Sequence, residues 1–111
     1  MNEFPAFMKN QTNLIEKAAQ YIEEIEGYVF NGAVGSQMAF WTCYKDKETI
    51  EHIHDYDEYF VVVEGQYTVI TNNKETTVSI GQECYIPKGT LHSGRSVAGA
   101  RTIHCFSRKR V

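Results

Sequence analysis

The sequence lacks the basic excess and the long apolar runs that mark two large classes of protein. Its 111 residues carry 11 Lys and Arg against 14 Asp and Glu, a formal net charge of −3. Nucleic-acid binding needs clustered basic side chains, so this balance argues against it. No apolar run approaches the roughly 20 residues of a membrane-spanning helix, and no signal-peptide pattern opens the chain. We therefore expect a cytoplasmic protein with neither a nucleic-acid nor a membrane partner.

Cysteine is scarce, and its spacing forms no recognisable motif. Cys43, Cys84 and Cys105 are odd in number and contain no Cys-x-x-Cys pair. This pattern argues against a disulfide framework and against a thiolate zinc site. The favoured interpretation is that all three are small buried side chains on strands. The alternative, that one thiol faces a pocket, stays open because all three lie in strand-like segments.

Helical periodicity is confined to one segment near the start of the chain. Between Asn13 and Glu26, apolar residues recur at the spacing of an amphipathic helix, with Asn13 as a candidate N-cap and Gly27 as a candidate stop. We therefore predict one amphipathic helix within an N-terminal arm of residues 1–34. This helix is expected to pack on the outside of the main body or on a partner subunit.

The remaining chain, residues 35–111, has the short apolar segments and frequent turn residues typical of strands. Asn72-Asn73 lies between two such segments, 67–71 and 75–80, and predicts a hairpin with a tight turn. About eight strands with regular turn signals predict a mainly β fold, either a sandwich or a small barrel.

Two histidine-containing segments carry the candidate chemistry. His52 and His54 are two residues apart and would point to the same face of an extended segment. Glu58 begins the next strand, and a turn at 87–89 leads to His92. Three neutral imidazoles and one carboxylate suit one divalent metal ion such as Zn, Fe, Mn or Ni. A single histidine is more often a surface or core residue, but the set predicts a metal site.

At these residues the sequence resembles a small single-domain cupin. The two cupin motifs are matched at His52, His54, Glu58, Gly65, Gly81, Pro87, Gly89 and His92. Asp46 and Ser96 replace a glycine and an asparagine of those motifs. The resemblance covers residues 35–107 and implies a single jelly-roll β-barrel that holds a metal inside. It implies that the metal ligands are His52, His54, Glu58 and His92.

The resemblance does not select a reaction, because one fold supports many activities. The ligand set favours a metal-dependent enzyme of isomerase or dioxygenase type that acts on a small organic molecule. The alternative is a non-catalytic cupin module that binds or senses a small molecule. A third interpretation gives the metal a structural role, as a clamp on the barrel.

Several other side chains have no role that the sequence assigns: Tyr44, Cys84, Arg101 and His104. Tyr44 would donate a proton if its strand face were inward, but an aromatic core residue with a solvated hydroxyl is favoured. Arg95 and Arg101 are candidates for contacting an anionic substrate, although exposed strand arginines are more common. His104 is expected to lie outside the pocket, and the basic tail 108–110 is expected to be solvated.

The oligomeric state follows from surfaces that a small barrel leaves open. Phe4 and Phe7 are expected at the surface, together with the predicted N-terminal helix. Open sheet edges and apolar surface both favour association. The sequence therefore predicts a homodimer.

Overall fold

The protein is described by a computed structural model over residues 1–16 and 24–110. Nine strands lie in this part of the chain: β1 (Ile25–Asn31), β2 (Gln37–Cys43), β3 (Lys47–Glu48), β4 (Glu58–Glu64), β5 (Gln66–Thr71), β6 (Lys74–Ser79), β7 (Glu83–Ile86), β8 (Ser93–Ser96) and β9 (Arg101–Phe106). Short 3-10 turns occur at Ala6–Met8, Gln11–Asn13 and Ala33–Gly35. No helix of this part is long and apolar enough to cross a membrane.

The strands form two antiparallel sheets. The five-stranded sheet has the order β1-β2-β9-β4-β7, and the four-stranded sheet has the order β3-β8-β5-β6. Strand β9 therefore lies between β2 and β4, although it is last in the chain. The predicted mainly β fold of jelly-roll type is confirmed. Strand β1 precedes residue 35, yet it pairs with β2 along its full length.

The core between the sheets follows the alternation of β4. Glu58, Phe60 and Val62 are buried on one face of this strand, while Tyr59 points outward. Phe60 and Val62 are fully buried and pack with three further apolar side chains, Val69, Val78 and Ile86. Burying a side chain of this size contributes about 2–3 kcal/mol. The alternation of β4 therefore puts Glu58 on the same inward face as this apolar core.

The predicted hairpin is formed by β5 and β6. Their pairing ends at Thr71 and Lys74, so Asn72 and Asn73 form a two-residue loop. Both asparagines have positive φ, 50° and 63°. A tight hairpin of this length favours positive φ at both central residues, and asparagine tolerates it better than most side chains.

The predicted helix from Asn13 to Glu26 is wrong where the structure describes it. Asn13 ends a 3-10 turn, Leu14 forms an antiparallel bridge with Tyr28, and Glu26 belongs to β1. Residues 17–23 of the predicted helix lie outside the described residues. Strand β1 pairs with β2, the next strand along the chain, over seven residues, and these backbone hydrogen bonds override the local periodicity.

The start of the chain packs against the outer face of the five-stranded sheet. Phe4 is buried, and the centre of its ring lies 5.6 Å from that of Phe40, in an edge-to-face arrangement, and 4.8 Å from the guanidinium carbon of Arg101. The Met1 carbonyl accepts a hydrogen bond from Arg101 Nη2 at 3.0 Å. The expectation of an exposed Phe4 is therefore wrong, whereas Phe7 is exposed as expected.

Candidate metal centre

The two histidine segments are joined to each other by backbone hydrogen bonds. His52 and His92 form an isolated antiparallel bridge, with N···O distances of 2.8 and 3.0 Å. The amide of Gly89 donates to the carbonyl of His54 at 2.9 Å. Gly89 has a φ of 84°, a conformation that glycine adopts at little cost. The turn before His92 and the bridge after it therefore hold the backbone of His92 beside the segment that carries His52 and His54.

Two of these imidazoles are oriented by their own backbone. The Nδ1 atom of His52 lies 2.8 Å from the carbonyl of Ile50, and Nδ1 of His92 lies 2.8 Å from the carbonyl of Thr90. A carbonyl only accepts, so each Nδ1 carries the proton and donates it. The Nε2 atom of each neutral ring then keeps its lone pair, which is the arrangement typical of a metal-binding histidine.

The three histidines form a compact group of candidate ligands. One ring nitrogen from each of His52, His54 and His92 lies within 4.8 Å of the others. Two nitrogens that bind one ion at about 2.1 Å lie roughly 3–4 Å apart, so small ring movements would bring these atoms into range. Burial lowers the pKa of His52. The donor set therefore fits a divalent ion, which requires neutral imidazoles.

Glu58, the fourth predicted ligand, lies beside His54 and is held by a further histidine. Its Oε1 atom is 3.2 Å from Nε2 of His54, a separation that suits two ligands of one ion as well as a hydrogen bond. Its Oε2 atom accepts a hydrogen bond of 2.7 Å from Nδ1 of His104. Burial opposes the charged form of Glu58, but these hydrogen bonds outweigh burial, so its pKa lies below the ordinary range.

His104 is in the pocket, and the expectation that it lies outside is wrong. It is buried on β9 opposite Phe60 of β4, and the two rings stack at 4.9 Å. Its Nε2 atom lies 3.0 Å from the hydroxyl of Thr102, which can donate to it. The signal in the sequence is the period of two: Thr102, His104 and Phe106 share the inward face of β9.

These groups line a cavity of about 90 Å³ inside the barrel. Its other walls are largely apolar or aromatic and include Trp41, Tyr67, Ile86 and Phe106. Strand β2 contributes Trp41 and Cys43 to the cavity, whereas Tyr44 follows the end of that strand. Tyr44 is exposed, so the expectation of an aromatic core residue is wrong. Its hydroxyl contacts Glu26 at 3.4 Å, away from the cavity.

The cysteines divide between the two interpretations that the sequence left open. Cys43 lines the cavity, with Sγ 3.1 Å from the hydroxyl of Ser96. Cys84 packs against the core around Phe60, and burial raises the pKa of its thiol. All three thiols are free. The thiol of Cys43 thus faces the pocket, as the alternative interpretation predicts.

The arginines predicted as candidates for an anionic substrate lie elsewhere. Arg95 pairs with Glu75 at the surface at 2.9 Å, and Arg101 is buried against Glu64 at 2.8 Å. Neither lines the cavity, but Arg110 does. Its guanidinium carbon lies 5.2 Å from the ring of Trp41 and 5.5 Å from the ring of Phe106. For Arg110, the expectation of a solvated basic tail is therefore wrong.

Comparison with known proteins gives the class of this barrel. A family model described as Cupin domain matches residues 40–105, which contain both histidine segments. The chain belongs to the cupin family. No curated protein matches its sequence.

Solved structures repeat the fold at low sequence identity. An RmlC-like cupin from Shewanella frigidimarina superposes with a TM-score of 0.75 at 19% identity, covering 90% of this chain and 86% of that one. KdgF from a Halomonas species gives 0.71 at 17% identity, covering 81% and 84%. The EutQ protein of Clostridium difficile gives 0.65 at 17% identity, covering 90% and 73%. At these identities the similarity shows the fold alone.

Proposed function

We propose that this cupin binds one divalent metal ion and is a metal-dependent enzyme acting on a small organic molecule, of isomerase or dioxygenase type. The observation that carries the proposal is the group of three imidazole nitrogens from His52, His54 and His92 at the cavity. Glu58 is proposed as the fourth ligand, supported by its 3.2 Å approach to His54. Mixed nitrogen and oxygen ligation leaves the choice among Zn, Fe, Mn and Ni to experiment.

The residues around the candidate ligands line the cavity and orient the ligand side chains, as a site for chemistry on a small molecule requires. A bound divalent metal supplies Lewis-acid polarisation of a substrate oxygen. Trp41, Ile86 and Phe106 give the cavity apolar walls, beside which electrostatic interactions are stronger than in water. His104 donates from Nδ1 to Glu58 and so fixes the direction of that carboxylate. The backbone carbonyls at Ile50 and Thr90 keep two imidazoles in one tautomer.

One observation favours the alternative, a non-catalytic module that binds or senses a small molecule. Glu58 is the one carboxylate among the described residues that line the cavity. Both of its oxygens are engaged, by His54 and by His104. A carboxylate held in this way is poorly placed to shuttle protons for a substrate, so general acid–base chemistry would need another group.

Metal analysis followed by a turnover screen tests the proposal. Protein purified without added metal is expected to contain close to one equivalent of a single first-row ion by elemental analysis. The loaded and chelator-stripped forms are then compared on a library of small oxygenated molecules by mass spectrometry with oxygen monitoring. Metal-dependent turnover supports the enzyme, whereas saturable binding without turnover supports the sensing module. A protein that takes up no metal contradicts the metal-dependent enzyme.

We also propose that the chain forms a homodimer through the outer face of its five-stranded sheet. Met38, Cys105, Tyr59 and Tyr85 lie in register across four neighbouring strands of that face. Met38, Tyr59 and Tyr85 are all exposed. A row of exposed apolar and aromatic side chains of this kind favours association.

Light scattering tests the dimer directly. The expected mass is twice the 12.7 kDa of one chain, and Met38→Glu is expected to shift it towards the monomer. Val34→Glu is a matched control, because Val34 is also exposed but lies outside the row. A wild-type protein that stays monomeric at micromolar concentration contradicts the dimer.

A cytoplasmic location is proposed as well. It is supported by the three thiols, all free, one of which is buried at the cavity. Reduced cysteines persist in a reducing compartment. Cell fractionation checks the location, and recovery of the protein outside the cytoplasm contradicts it.

A further inference from the structure

The end of the described chain brings a permanent positive charge to the cavity that holds the three histidines. Arg110 lines this cavity, and among the described lining residues it is the one lysine or arginine. We propose that Arg110 binds the carboxylate of a small organic acid while a second oxygen of the same molecule faces the three histidines. This inference rests on the proposed metal site and specifies the class of ligand that the site takes.

Arg110 is held in place by contacts from two strands. Its backbone amide donates to Oε1 of Gln37 at 2.7 Å, and Nε2 of Gln37 donates to Oδ1 of Asn31 at 2.8 Å. These bonds attach the segment after β9 to the ends of β1 and β2. The backbone of Arg110 is therefore fixed beside the start of β2, and the side chain of Arg110 lines the cavity.

Two aromatic rings form a platform for the guanidinium. Its central carbon lies 5.2 Å from the ring centre of Trp41 and 5.5 Å from that of Phe106, both within the range of cation–π attraction. A guanidinium carries its N–H donors in its own plane, in a fork that matches the two oxygens of a carboxylate. A ring contact and a carboxylate contact therefore use different parts of the same group.

The charges around the cavity also favour an anion. With neutral imidazoles, a divalent ion and Arg110 bring three positive charges, against one negative charge, that of Glu58, among the described residues that line the cavity. Interactions between such charges strengthen where water is excluded. Electrostatics in the loaded site therefore favour a ligand that carries at least one negative charge.

The shape of the cavity and its donors favour a carboxylate over a phosphate. Phosphate sites typically combine several cations or the amides of a helix N-terminus. The described lining residues offer a single guanidinium and no helix. The volume of about 90 Å³ and the apolar side chains of Ile25, Ile86 and Ala100 suit a short, compact acid.

The experiment measures ligand binding by the metal-loaded full chain with matched pairs of probes. Acetate, pyruvate, lactate and benzoate are compared with their uncharged amides by calorimetry, with inorganic phosphate as a further probe. At least one acid is expected to bind about 10-fold or more tightly than its amide, the range of a charged hydrogen bond. Arg110→Gln is expected to lower that preference by about 10-fold, since the metal ion still attracts the acid, and to leave affinity for the amide unchanged.

Two control variants separate this inference from general damage. Arg108→Gln makes the same change two residues away, at an exposed side chain that pairs with Asp55, and is expected to bind the acids like the wild type. Arg110→Lys keeps the charge but loses the fork, and is expected to recover only part of the preference. Melting temperature and metal content, measured for every variant, are expected to stay at wild-type values.

The outcomes distinguish a failure of this inference from a failure of the metal site. A protein that binds metal but shows no preference for any acid over its amide overturns the role of Arg110. Equal losses in Arg110→Gln and Arg108→Gln also overturn it, and so does tighter binding of phosphate than of every acid. A protein that takes up no metal but keeps an Arg110-dependent preference for an acid overturns the metal site and leaves the anion site standing.

Discussion

The cavity has two halves that are built in different ways. The loop half consists of His52, His54 and His92, which lie in the segments between β3 and β4 and between β7 and β8. In this half, backbone carbonyls orient the rings of His52 and His92. The strand half consists of Glu58, Thr102 and His104, which lie on the neighbouring strands β4 and β9. Here, side chains bond to side chains.

The loop half holds three of the four proposed ligands, whereas the strand half holds the fourth, Glu58, together with the residues that support it. Imidazoles that donate from Nδ1 to the backbone keep Nε2 available for an external ligand. Oε2 of Glu58 and Nδ1 of His104 instead bond to each other inside the protein, as buried polar groups must. The loop half is therefore expected to govern metal affinity, and the strand half is expected to govern the stability of the barrel without metal.

The largest expected effect is on metal binding by the loop half. His54→Ala removes a ligand nitrogen from the group of three and is expected to lower metal affinity by 100-fold or more, since an incomplete ligand set binds weakly. His104→Gln, in the strand half, is expected to lose about 10-fold, through its contact with Glu58. Competition with a calibrated chelator measures both. Equal losses in the two variants would remove the distinction between the halves.

The next effect is on the stability of the metal-free protein, where a substitution in the strand half is expected to cost more than one in the loop half. His104→Ala leaves the buried carboxylate of Glu58 without its 2.7 Å donor and opens a space beside Phe60. The free energy of unfolding of the metal-free protein is expected to fall by about 3 kcal/mol. His52→Ala removes a half-buried ring in the loop half and is expected to cost less than about 1 kcal/mol. Urea unfolding with chelator present measures both, and a greater cost for His52→Ala contradicts the comparison.

A smaller effect comes from the turn that supports the loop half. Gly89 has a φ of 84°, and a Cβ added there would meet no atom within 4 Å, so Gly89→Ala tests conformation without a clash. A left-handed residue with a side chain costs about 1–2 kcal/mol, and asparagine tolerates it better. Thermal unfolding is expected to rank the stabilities as wild type, Gly89→Asn and Gly89→Ala. An unchanged melting temperature for Gly89→Ala would show that the turn adopts another conformation.

The smallest expected effect is the stability cost of removing one hydrogen bond in the strand half. Thr102→Val removes the hydroxyl that lies 3.0 Å from Nε2 of His104 while keeping the shape of the side chain. Losing one buried hydrogen bond is expected to cost about 1–2 kcal/mol. Metal affinity is expected to stay near the wild-type value, because the hydroxyl of Thr102 bonds to His104, which is not a proposed ligand. A large loss of metal by Thr102→Val would show that the strand half also controls binding.

The sequence predicts features that depend on neighbouring residues. Asn72-Asn73 forms the predicted turn, and the alternation of β4 places Phe60 and Val62 inside. The motif around His52 and His54 also comes to lie beside His92, as predicted. Turn chemistry and the period of two are local properties, so they can be found in a short window of sequence.

Features that depend on pairing between distant segments could not be predicted. The periodicity of 13–26 indicated a helix, but Glu26 pairs with Thr42 in a sheet. The period of two puts His104 on one face with Thr102 and Phe106, but this face turns inward because β9 pairs with β4 in a register that sets His104 opposite Phe60. Arg110 looked like part of a solvated tail, because nothing near it in sequence shows that its amide meets Gln37. Each of these outcomes is decided by residues far away in the chain.

The central place of β9 in the five-stranded sheet has a consequence for the order in which the protein folds during synthesis. Until residues 101–106 leave the ribosome, the strands on either side of that place form only two-stranded ribbons, β1 with β2 and β4 with β7. Such ribbons are marginally stable in water. The facing edges of β2 and β4 then remain open to strands of other nascent chains. Completion of this barrel is therefore a late and slow event, because it waits for contacts between distant parts of the chain.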